Sequence, residues 1–295
     1  MTSPGPGSAA QPGPGPAALE AAVTVAASLG VTATDPQVLA DGANLVVHLA
    51  PAPVVAKVAA STAEVRADNA SWLQRELDVT AFLTAVGAPV VPPSPEVPPT
   101  VHQAGGQVMS FWTYQPPLAA ERTRPTEATI GSMLRDLHAV LRGYPGRDPV
   151  LAPLADIPAF LARPQTHLPP GRAEALAAAY TRLTADLDLD STPLQQLHGD
   201  AGGGNLMPTA NGWLWHDFED TCTGPITWDL AASTASKFQE GPKVLATYGL
   251  SVDQRQLTVC EGLRRLHLTV WYSLYAERLP ALRPRAAELQ SLWPA

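Results

Sequence analysis

A polar segment at residues 198–217 constrains the fold more than any other part of the chain. It begins with the motif HGDAGGGN, ends at Asp217 and contains Asn211-Gly212. Asn-Gly is the strongest short signal for a β-hairpin, because both turn positions favour positive φ. A hairpin closed at this dipeptide pairs Leu206 with Asp217 and brings Asn205 to the same open end. The sequence therefore predicts that Asn205 and Asp217 are neighbours.

The side chains at this open end suit a magnesium site. Directly opposed strand residues lie about 4.5 to 5.5 Å apart, so diagonal neighbours can share one ion. Amide and carboxylate oxygens are hard ligands, and Mg²⁺ usually keeps waters and substrate phosphates as its other ligands. We therefore interpret Asn205 and Asp217 as magnesium ligands. Asp200 precedes three glycines, on backbone that lets a ligand approach closely, and we interpret it as a general base or hydroxyl-orienting group.

A second signal is Lys57, which interrupts the apolar strand pattern PVVAKVA at residues 53–59. A buried ammonium without an anion is costly, so Lys57 needs a carboxylate partner. A helix is predicted at residues 62–86, and Glu76 falls on its apolar stripe. That stripe is formed by Trp72, Val79, Leu83 and Val86. The pattern predicts a buried pair between Lys57 and Glu76.

The order of elements predicts an α+β fold. Residues 1–16 are rich in Pro, Gly and Ser and are predicted to form a disordered tail. Residues 17–115 are predicted to form a small, strand-rich N-terminal lobe. Residues 116–295 are predicted to form a mostly helical C-terminal lobe, with a long helix at residues 253–279. Two hairpin loops are predicted in the N-terminal lobe, at Asp41-Gly42-Ala43 and at Gly105-Gly106.

These motifs resemble the aminoglycoside phosphotransferase family, relatives of the protein kinases. His-x-Asp-x-x-x-x-Asn at residues 198–205, followed by an apolar strand ending in Asp217, resembles the family's catalytic loop and metal-binding aspartate. The sequence GPITWDLA at residues 224–231 resembles a further family motif. The resemblance implies a protein-kinase-like two-lobe fold with the active site between the lobes. It also implies an enzyme that moves the γ-phosphoryl of ATP or GTP to a hydroxyl of a small molecule, with Mg²⁺.

The resemblance assigns roles to individual residues. Asp200 would receive or orient the acceptor hydroxyl, while Asn205 and Asp217 would hold magnesium. Lys57, oriented by Glu76, would hold the nucleotide phosphates. His198 and Asp229 would brace the catalytic loop. The segment linking the lobes, whose backbone would hydrogen-bond the nucleotide base, would comprise Met109, Ser110, Phe111 and Trp112.

Composition limits the partners. The formal net charge of -8 argues against broad binding to nucleic acid or anionic membranes, which depends on clustered Lys and Arg. No uninterrupted apolar run reaches about 18 residues and no signal segment is recognisable, so we expect a cytoplasmic protein. Glu219 and Asp220 follow the metal-binding aspartate and are candidate contacts for a cationic acceptor. The oligomeric state is not indicated.

Other interpretations remain open at this point. His198 and His216 could ligate a transition metal in a hydrolase, although this leaves Lys57 and Glu76 unexplained. The lysine pair could be purely structural, and Glu219 and Asp220 could be solvated charges. A pseudokinase is a further alternative, but its mark, a lost base or metal ligand, is absent. The acceptor could be an aminoglycoside or another antibiotic, a sugar, an amino alcohol or a homoserine-like molecule. Three aromatic residues are expected in the core: Trp271, Tyr272 and Tyr275.

Overall fold

Among the described residues, an antiparallel sheet of five strands forms the N-terminal part of the protein. The computed structural model describes residues 15–116, 118, 124–164, 168–236 and 239–294. The strands are β1 (Ala33–Asp41), β2 (Asn44–Pro51), β3 (Val54–Ala59), β4 (His102–Ala104) and β5 (Gln107–Thr113). They follow the order β1-β2-β3-β5-β4 across the sheet.

Helix α1 (Gly15–Ser28) covers one face of this sheet. Its buried alanines and Val25 pack against Leu45, Val47 and Met109 in one apolar cluster. The helix includes the last two residues of the predicted disordered tail, and the rest of that tail, residues 1–14, lies outside the described residues. Burying an alanine face against a sheet needs little space, which lets the helix approach the strands closely.

Both predicted hairpin loops of this sheet are confirmed. β1 and β2 pair from Asp41 and Leu45 outward, on either side of the first loop. Gly105 and Gly106 join β4 to β5 with φ values of 56° and 77°. Positive φ at both central residues matches the twist of the flanking strands and is tolerated best by glycine.

The helix that follows β3 is shorter than predicted. A single 3-10 turn covers Ser61–Glu64, and helix α2 begins only at Asn69 and runs to Ala85. The side chain of Asp68 caps it by accepting the backbone N–H of Ser71 at 3.1 Å. Because an N-cap residue leaves helical geometry, a continuous helix from residue 62 is wrong. The break is what allows Arg66, between the two elements, to reach the C-terminal part.

The C-terminal part is mostly helical, and the α+β prediction is confirmed. Its helices are α3 (Glu127–Leu141), α4 (Asp156–Leu161), α5 (Arg172–Ala185), α6 (Ile226–Thr234), α7 (Gly241–Tyr248), α8 (Gln254–Arg278) and α9 (Arg283–Ser291). Two short strand pairs lie among them, β6 (Gln195–Leu197) with β9 (Cys222–Gly224) and β7 (Leu206–Thr209) with β8 (Gly212–Trp215). Within the described ranges, none of the helices combines the length and apolar character that a membrane crossing requires.

The predicted long helix is confirmed as α8. Asp253 caps it by accepting the N–H groups of Arg255 and Gln256 at 2.8 and 3.0 Å. Its buried side packs against α6 and α9 within the main apolar core. That core also holds Trp215 and Phe218, so the strands that carry the polar segment rest on it.

The β7–β8 hairpin forms, but its register is shifted by two residues from the prediction. Thr209 pairs with Gly212 and Leu206 pairs with Trp215, so the turn is Ala210-Asn211. The Thr209 hydroxyl closes this turn by donating to the Gly212 carbonyl at 2.9 Å and accepting from the Asn211 N–H at 3.3 Å. The predicted pairing of Leu206 with Asp217 is therefore wrong.

Arg66 joins the two parts of the fold through buried ion pairs. It donates two hydrogen bonds to Asp156 at the start of α4, at 2.7 and 3.1 Å. It also donates to Glu219 at 2.9 Å and to Asp220 at 2.6 Å. The guanidinium carbon lies 3.6 Å from the ring centroid of Trp72, a cation–π contact. A buried guanidinium with this many carboxylates fixes the position of the loop before α2 against the C-terminal helices.

We predict that Asp156 makes stability depend on acid pH. Burial alone would raise its pKa, but hydrogen bonds from His267 and Arg66 lower the pKa from 3.8 to about 2. A depressed native pKa contributes stability above pH 3.8 that is lost as pH falls towards 2. The unfolding free energy of the wild type should exceed that of Asp156→Asn by about 1 kcal/mol more at pH 5 than at pH 3.

Urea unfolding of both proteins across this pH range measures the difference. The exposed Asp190→Asn is the matched control, because it removes a carboxylate outside the cluster. A gap between wild type and Asp156→Asn that stays constant with pH would contradict the pairing.

Candidate active site

Two cavities meet at Asp217. The larger, of about 410 Å³, lies under the sheet and is lined by strand residues such as Val46 and Val55 together with Lys57 and Asp217. The smaller, of about 230 Å³, is lined by Asp200, Asp217 and residues of α8. Asp217 has a left-handed backbone with φ of 63°, which is uncommon for a residue with a side chain. Asp217 lies between the β7–β8 hairpin and the 3-10 turn Phe218–Asp220.

Lys57 is buried on β3 and is surrounded by carboxylates. Its ammonium donates to both oxygens of Glu76 at 2.9 and 3.0 Å, which confirms the predicted pair. It also contacts Asp217 at 2.6 Å and Glu219 at 2.9 Å. Burial alone would lower the pKa of Lys57, but these carboxylates raise it well above its usual value. Lys57 therefore stays charged.

The carboxylates around Lys57 carry more charge than one ammonium can balance. Burial raises the pKa of Glu76 to about 8, with repulsion from Asp217 and Glu219 acting against the pull of Lys57. For Asp217, whose side chain is 45% exposed, partial desolvation acts in the same direction, but Lys57 outweighs it and lowers the pKa to about 2. A site with excess negative charge of this kind would be stabilised by a further cation.

The catalytic-loop motif is held by buried hydrogen bonds. Asp229 accepts the backbone N–H groups of His198 and Gly199 at 2.9 and 2.8 Å, and His138 hydrogen-bonds it at 2.9 Å. His198 contacts the carbonyl of His216 through Nε2 at 3.1 Å, and its Nδ1 accepts the N–H of Asp200 at 3.3 Å. These contacts are those of structural supports rather than metal ligands.

Gly199 is required by its surroundings. Its φ is +90°, and a side chain there would collide with the backbone carbonyl of Asp220. The loop can therefore pass close to the 3-10 turn that carries Glu219 and Asp220. This close approach places Asp200 on the wall of the smaller cavity.

Asn205 and Asp217 each keep a side-chain oxygen that could ligate a divalent cation. The N–H of His216 donates to the carbonyl of Asn205 at 3.1 Å, so Asp217 lies one residue beyond the position opposite Asn205. Asn205 turns its amide nitrogen towards Asp200 at 3.1 Å, which leaves the amide oxygen available. The Asp217 side chain is 45% exposed and gives Lys57 only one oxygen. In the described part of the chain, no cluster of three or more His, Cys, Asp or Glu side chains could hold a metal alone, so phosphates and waters would complete the coordination.

Glu219 and Asp220 lie beside the smaller cavity but are engaged internally. One oxygen of Glu219 accepts from Asn44 and contacts Lys57, and the other accepts from Arg66. Glu219 therefore does not offer a free oxygen edge to a cationic acceptor. Asp220 gives one oxygen to Arg66 and is 16% exposed. The two residues are neither solvated charges nor equivalent, and Asp220 is the more accessible of the pair.

The segment Met109, Ser110, Phe111 and Trp112 lies inside β5. Its residues pair with β3, from Val58 opposite Met109 to Val55 opposite Trp112. Met109 is buried in the α1 core, whereas Trp112 lines the larger cavity. The cavity wall continues along Thr113, Tyr114 and Gln115, where the chain leaves the strand.

Sequence reasoning missed two arginines of the smaller cavity, Arg66 and Arg264. No local pattern distinguishes Arg66, but Arg264 could have been found. It shares a helical stripe with Cys260, His267 and Trp271, at spacings of three and four residues. Like Glu76, it is a charged residue on a buried helix face. Trp271 is buried as expected, yet it lines the smaller cavity together with Tyr272 and Tyr275.

Comparison with solved structures identifies the same fold elsewhere. An amicoumacin kinase in complex with AMP-PNP, Ca²⁺ and Ami is 12% identical, with a TM-score of 0.64 over 92% of this chain and 94% of that one. A type VIII aminoglycoside-3'-phosphotransferase is 17% identical, with a TM-score of 0.62 over 84% and 98%. A choline/ethanolamine kinase family protein from Mesorhizobium loti is 18% identical, with a TM-score of 0.56 over 92% of both chains. The likeness confirms the two-lobe kinase-like fold.

A sequence comparison with curated proteins finds no match. The profile of the APH phosphotransferase enzyme family, however, matches residues 37–256. The match extends from β1 into α8 and includes Lys57, Asp200 and Asp217. The chain therefore belongs to the APH family of phosphotransferase enzymes, as its motifs predict.

Proposed function

We propose that the protein transfers the γ-phosphoryl group of ATP or GTP to a hydroxyl of a small molecule. The observation that carries this proposal is the position of Asp217 between two cavities, with Lys57 on one side and Asp200 on the other. The larger cavity, of about 410 Å³, would hold the nucleotide. The smaller one would hold the acceptor. The division between nucleotide-binding and acceptor-binding lobes would then fall near residue 115.

The residues around Asp217 would act mainly by positioning and charge. Lys57, oriented by Glu76, would contact the phosphates. Asn205 and Asp217 would hold Mg²⁺, which would neutralise negative charge on the β- and γ-phosphoryl oxygens. Asp200 would accept a hydrogen bond from the acceptor hydroxyl and take its proton as the new oxygen–phosphorus bond forms, while the bond from the γ-phosphorus to the bridging oxygen breaks and the nucleoside diphosphate leaves. The backbone at Thr113–Gln115, rather than at residues 109–112, would hydrogen-bond the nucleotide base.

The smaller cavity supports an amine-bearing or polyhydroxylated acceptor. Trp271, Tyr272 and Tyr275 offer aromatic faces, which attract cations and sugar rings, and Asp220 offers a partly exposed carboxylate. Solved neighbours are described as complexes with kanamycin and with streptomycin, as choline kinase and as aminopropanol kinase. These four molecules form a suitable acceptor panel.

The test is a screen of this panel with ATP and with GTP, in the presence of Mg²⁺. Mass spectrometry should detect a gain of one phosphoryl group on an acceptor, together with loss of nucleoside triphosphate that depends on that acceptor. Nucleotide binding without transfer to the panel or to an extended set of sugars and amino alcohols would instead indicate a non-catalytic protein.

Substitution of Asp200 should remove most turnover. Asp200→Asn keeps the side-chain size but lacks the charge and the proton-accepting capacity, and such groups contribute about 10² to 10⁴-fold to the rate. We expect that loss in kcat at saturating nucleotide, with nucleotide binding by calorimetry little changed. Asp136→Asn, at a side chain 68% exposed on α3, is the control. If Asp200→Asn retains kcat within about tenfold, Asp200 has no role as a base.

Nucleotide binding should depend on Mg²⁺. Ligands that bind the native state raise its thermal stability by mass action. ATP or GTP with Mg²⁺ should therefore raise Tm clearly, and the same nucleotide with a chelator should raise it only weakly. In Asp217→Asn the two shifts should become similar, because a metal ligand is lost. Equal shifts in the wild type would exclude Asn205 and Asp217 as the metal site.

A further inference from the structure

Arg264 connects α8 to the catalytic loop at two points. Its side chain is 3% exposed and its Nη2 donates to Oδ1 of Asp200. Its Nη1 donates to the carbonyl of Gly199 at 3.1 Å. The same carbonyl accepts the indole N–H of Trp228 at 2.9 Å, and the guanidinium lies 5.1 Å from that ring's centroid. Arg264 thus holds both the backbone and the functional side chain of the loop.

Packing alone does not orient the Asp200 carboxylate. The side chain is 42% exposed and stands on a loop that continues into three glycines. Its two oxygens are bound separately, Oδ1 by Arg264 and Oδ2 by the amide of Asn205 at 3.1 Å. Each carboxylate oxygen can accept about two hydrogen bonds, so both keep capacity for an acceptor hydroxyl. Two donors on different elements fix the plane of the carboxylate while leaving its cavity side usable.

The Gly199 carbonyl and the Trp228 ring give Arg264 a hydrogen bond and a cation–π contact, but a buried guanidinium also needs an anion. Asp200 is the carboxylate that supplies it. That carboxylate lines the smaller cavity, which Arg264 lines as well. The neighbouring Arg265 differs: its side chain is 42% exposed and pairs with Glu261 at 3.4 Å.

From this geometry we propose that Arg264 is a positioning residue for phosphoryl transfer, which orients the Asp200 carboxylate towards the acceptor hydroxyl. This rests on the proposed function of Asp200. Arginine suits the role because its rigid fork can donate to a carboxylate and a carbonyl at once, whereas lysine offers a single point charge.

The experiment compares Arg264→Ala, Arg264→Lys and the control Arg265→Ala with the wild type, using the panel acceptor that is turned over fastest. We expect Arg264→Ala to lower kcat about 10²-fold, the loss typical of a misplaced catalytic group, with little change in the affinity for Mg²⁺ and nucleotide. Arg264→Lys should be intermediate and Arg265→Ala unchanged. Added guanidinium ion, which can enter through the cavity, should restore part of the kcat of Arg264→Ala without a matching rise in Tm.

The proposal is overturned if kcat of Arg264→Ala stays within about threefold of wild type, well below that loss. It is also overturned if the loss lies in nucleotide affinity, or if guanidinium raises activity only in proportion to folded protein. Should Arg264→Ala not fold, Arg264→Lys carries the same comparison. Crystal structures of the wild type and Arg264→Lys provide a readout that does not need turnover. An Asp200 carboxylate that keeps its position in the variant would refute the positioning role. The absence of phosphorylation on every acceptor would instead count against the proposed function.

Discussion

The buried ammonium of Lys57 is the constraint on which the rest of the site depends. A cation in the middle of a strand can be buried only if anions reach it, and here they come from α2 and from the segment after β8. The sheet, helix α2 and the C-terminal part must therefore pack together around the Lys57 ammonium. A register slip of one residue in β3 would turn Lys57 to the α1 face and leave these carboxylates without their counterion.

Hydrogen bonds from other elements hold the backbone and the carboxylate of residues 198–200. Asp229 fixes the loop backbone at His198 and Gly199, and Arg264 and Asn205 hold the carboxylate of Asp200. This arrangement is preorganised, because the donors and acceptors are in place before a substrate binds. The loop itself is rich in glycine and could not provide such order. The supporting side chains of Asp229 and Arg264 stand on helices α6 and α8, and the glycines let the loop pass close to its neighbours.

Two buried cations, Arg66 and Lys57, pair with the carboxylates of the cleft. Arg66 pairs with Asp156, Asp220 and one oxygen of Glu219, which joins the lobes and leaves little free carboxylate for an acceptor. Burial, together with repulsion from Asp217 and Glu219, raises the pKa of Glu76 to about 8 despite the attraction of Lys57. A divalent cation would reduce the negative charge that remains at this site. Asp217, which contacts Lys57, has a left-handed backbone conformation. Strained conformations of this kind are common at functional sites.

The sequence alone determined the elements whose causes are local. Helical spacing placed Glu76 on the buried face of α2, and the need of a buried Lys57 for an anion made it the candidate partner. The spacing of Asn205 and Asp217 around a hairpin brought them to one end. The hairpin register was misjudged, because the Thr209 side chain closes a different turn. Residues 109–112 lie within β5, whose pairing with β3 continues to Thr113. The carboxylates that pair with Arg66 and Arg264 lie 64 to 154 residues away along the chain. Only the tertiary structure could assign them, because periodicity shows which face of an element is buried but not what that face meets.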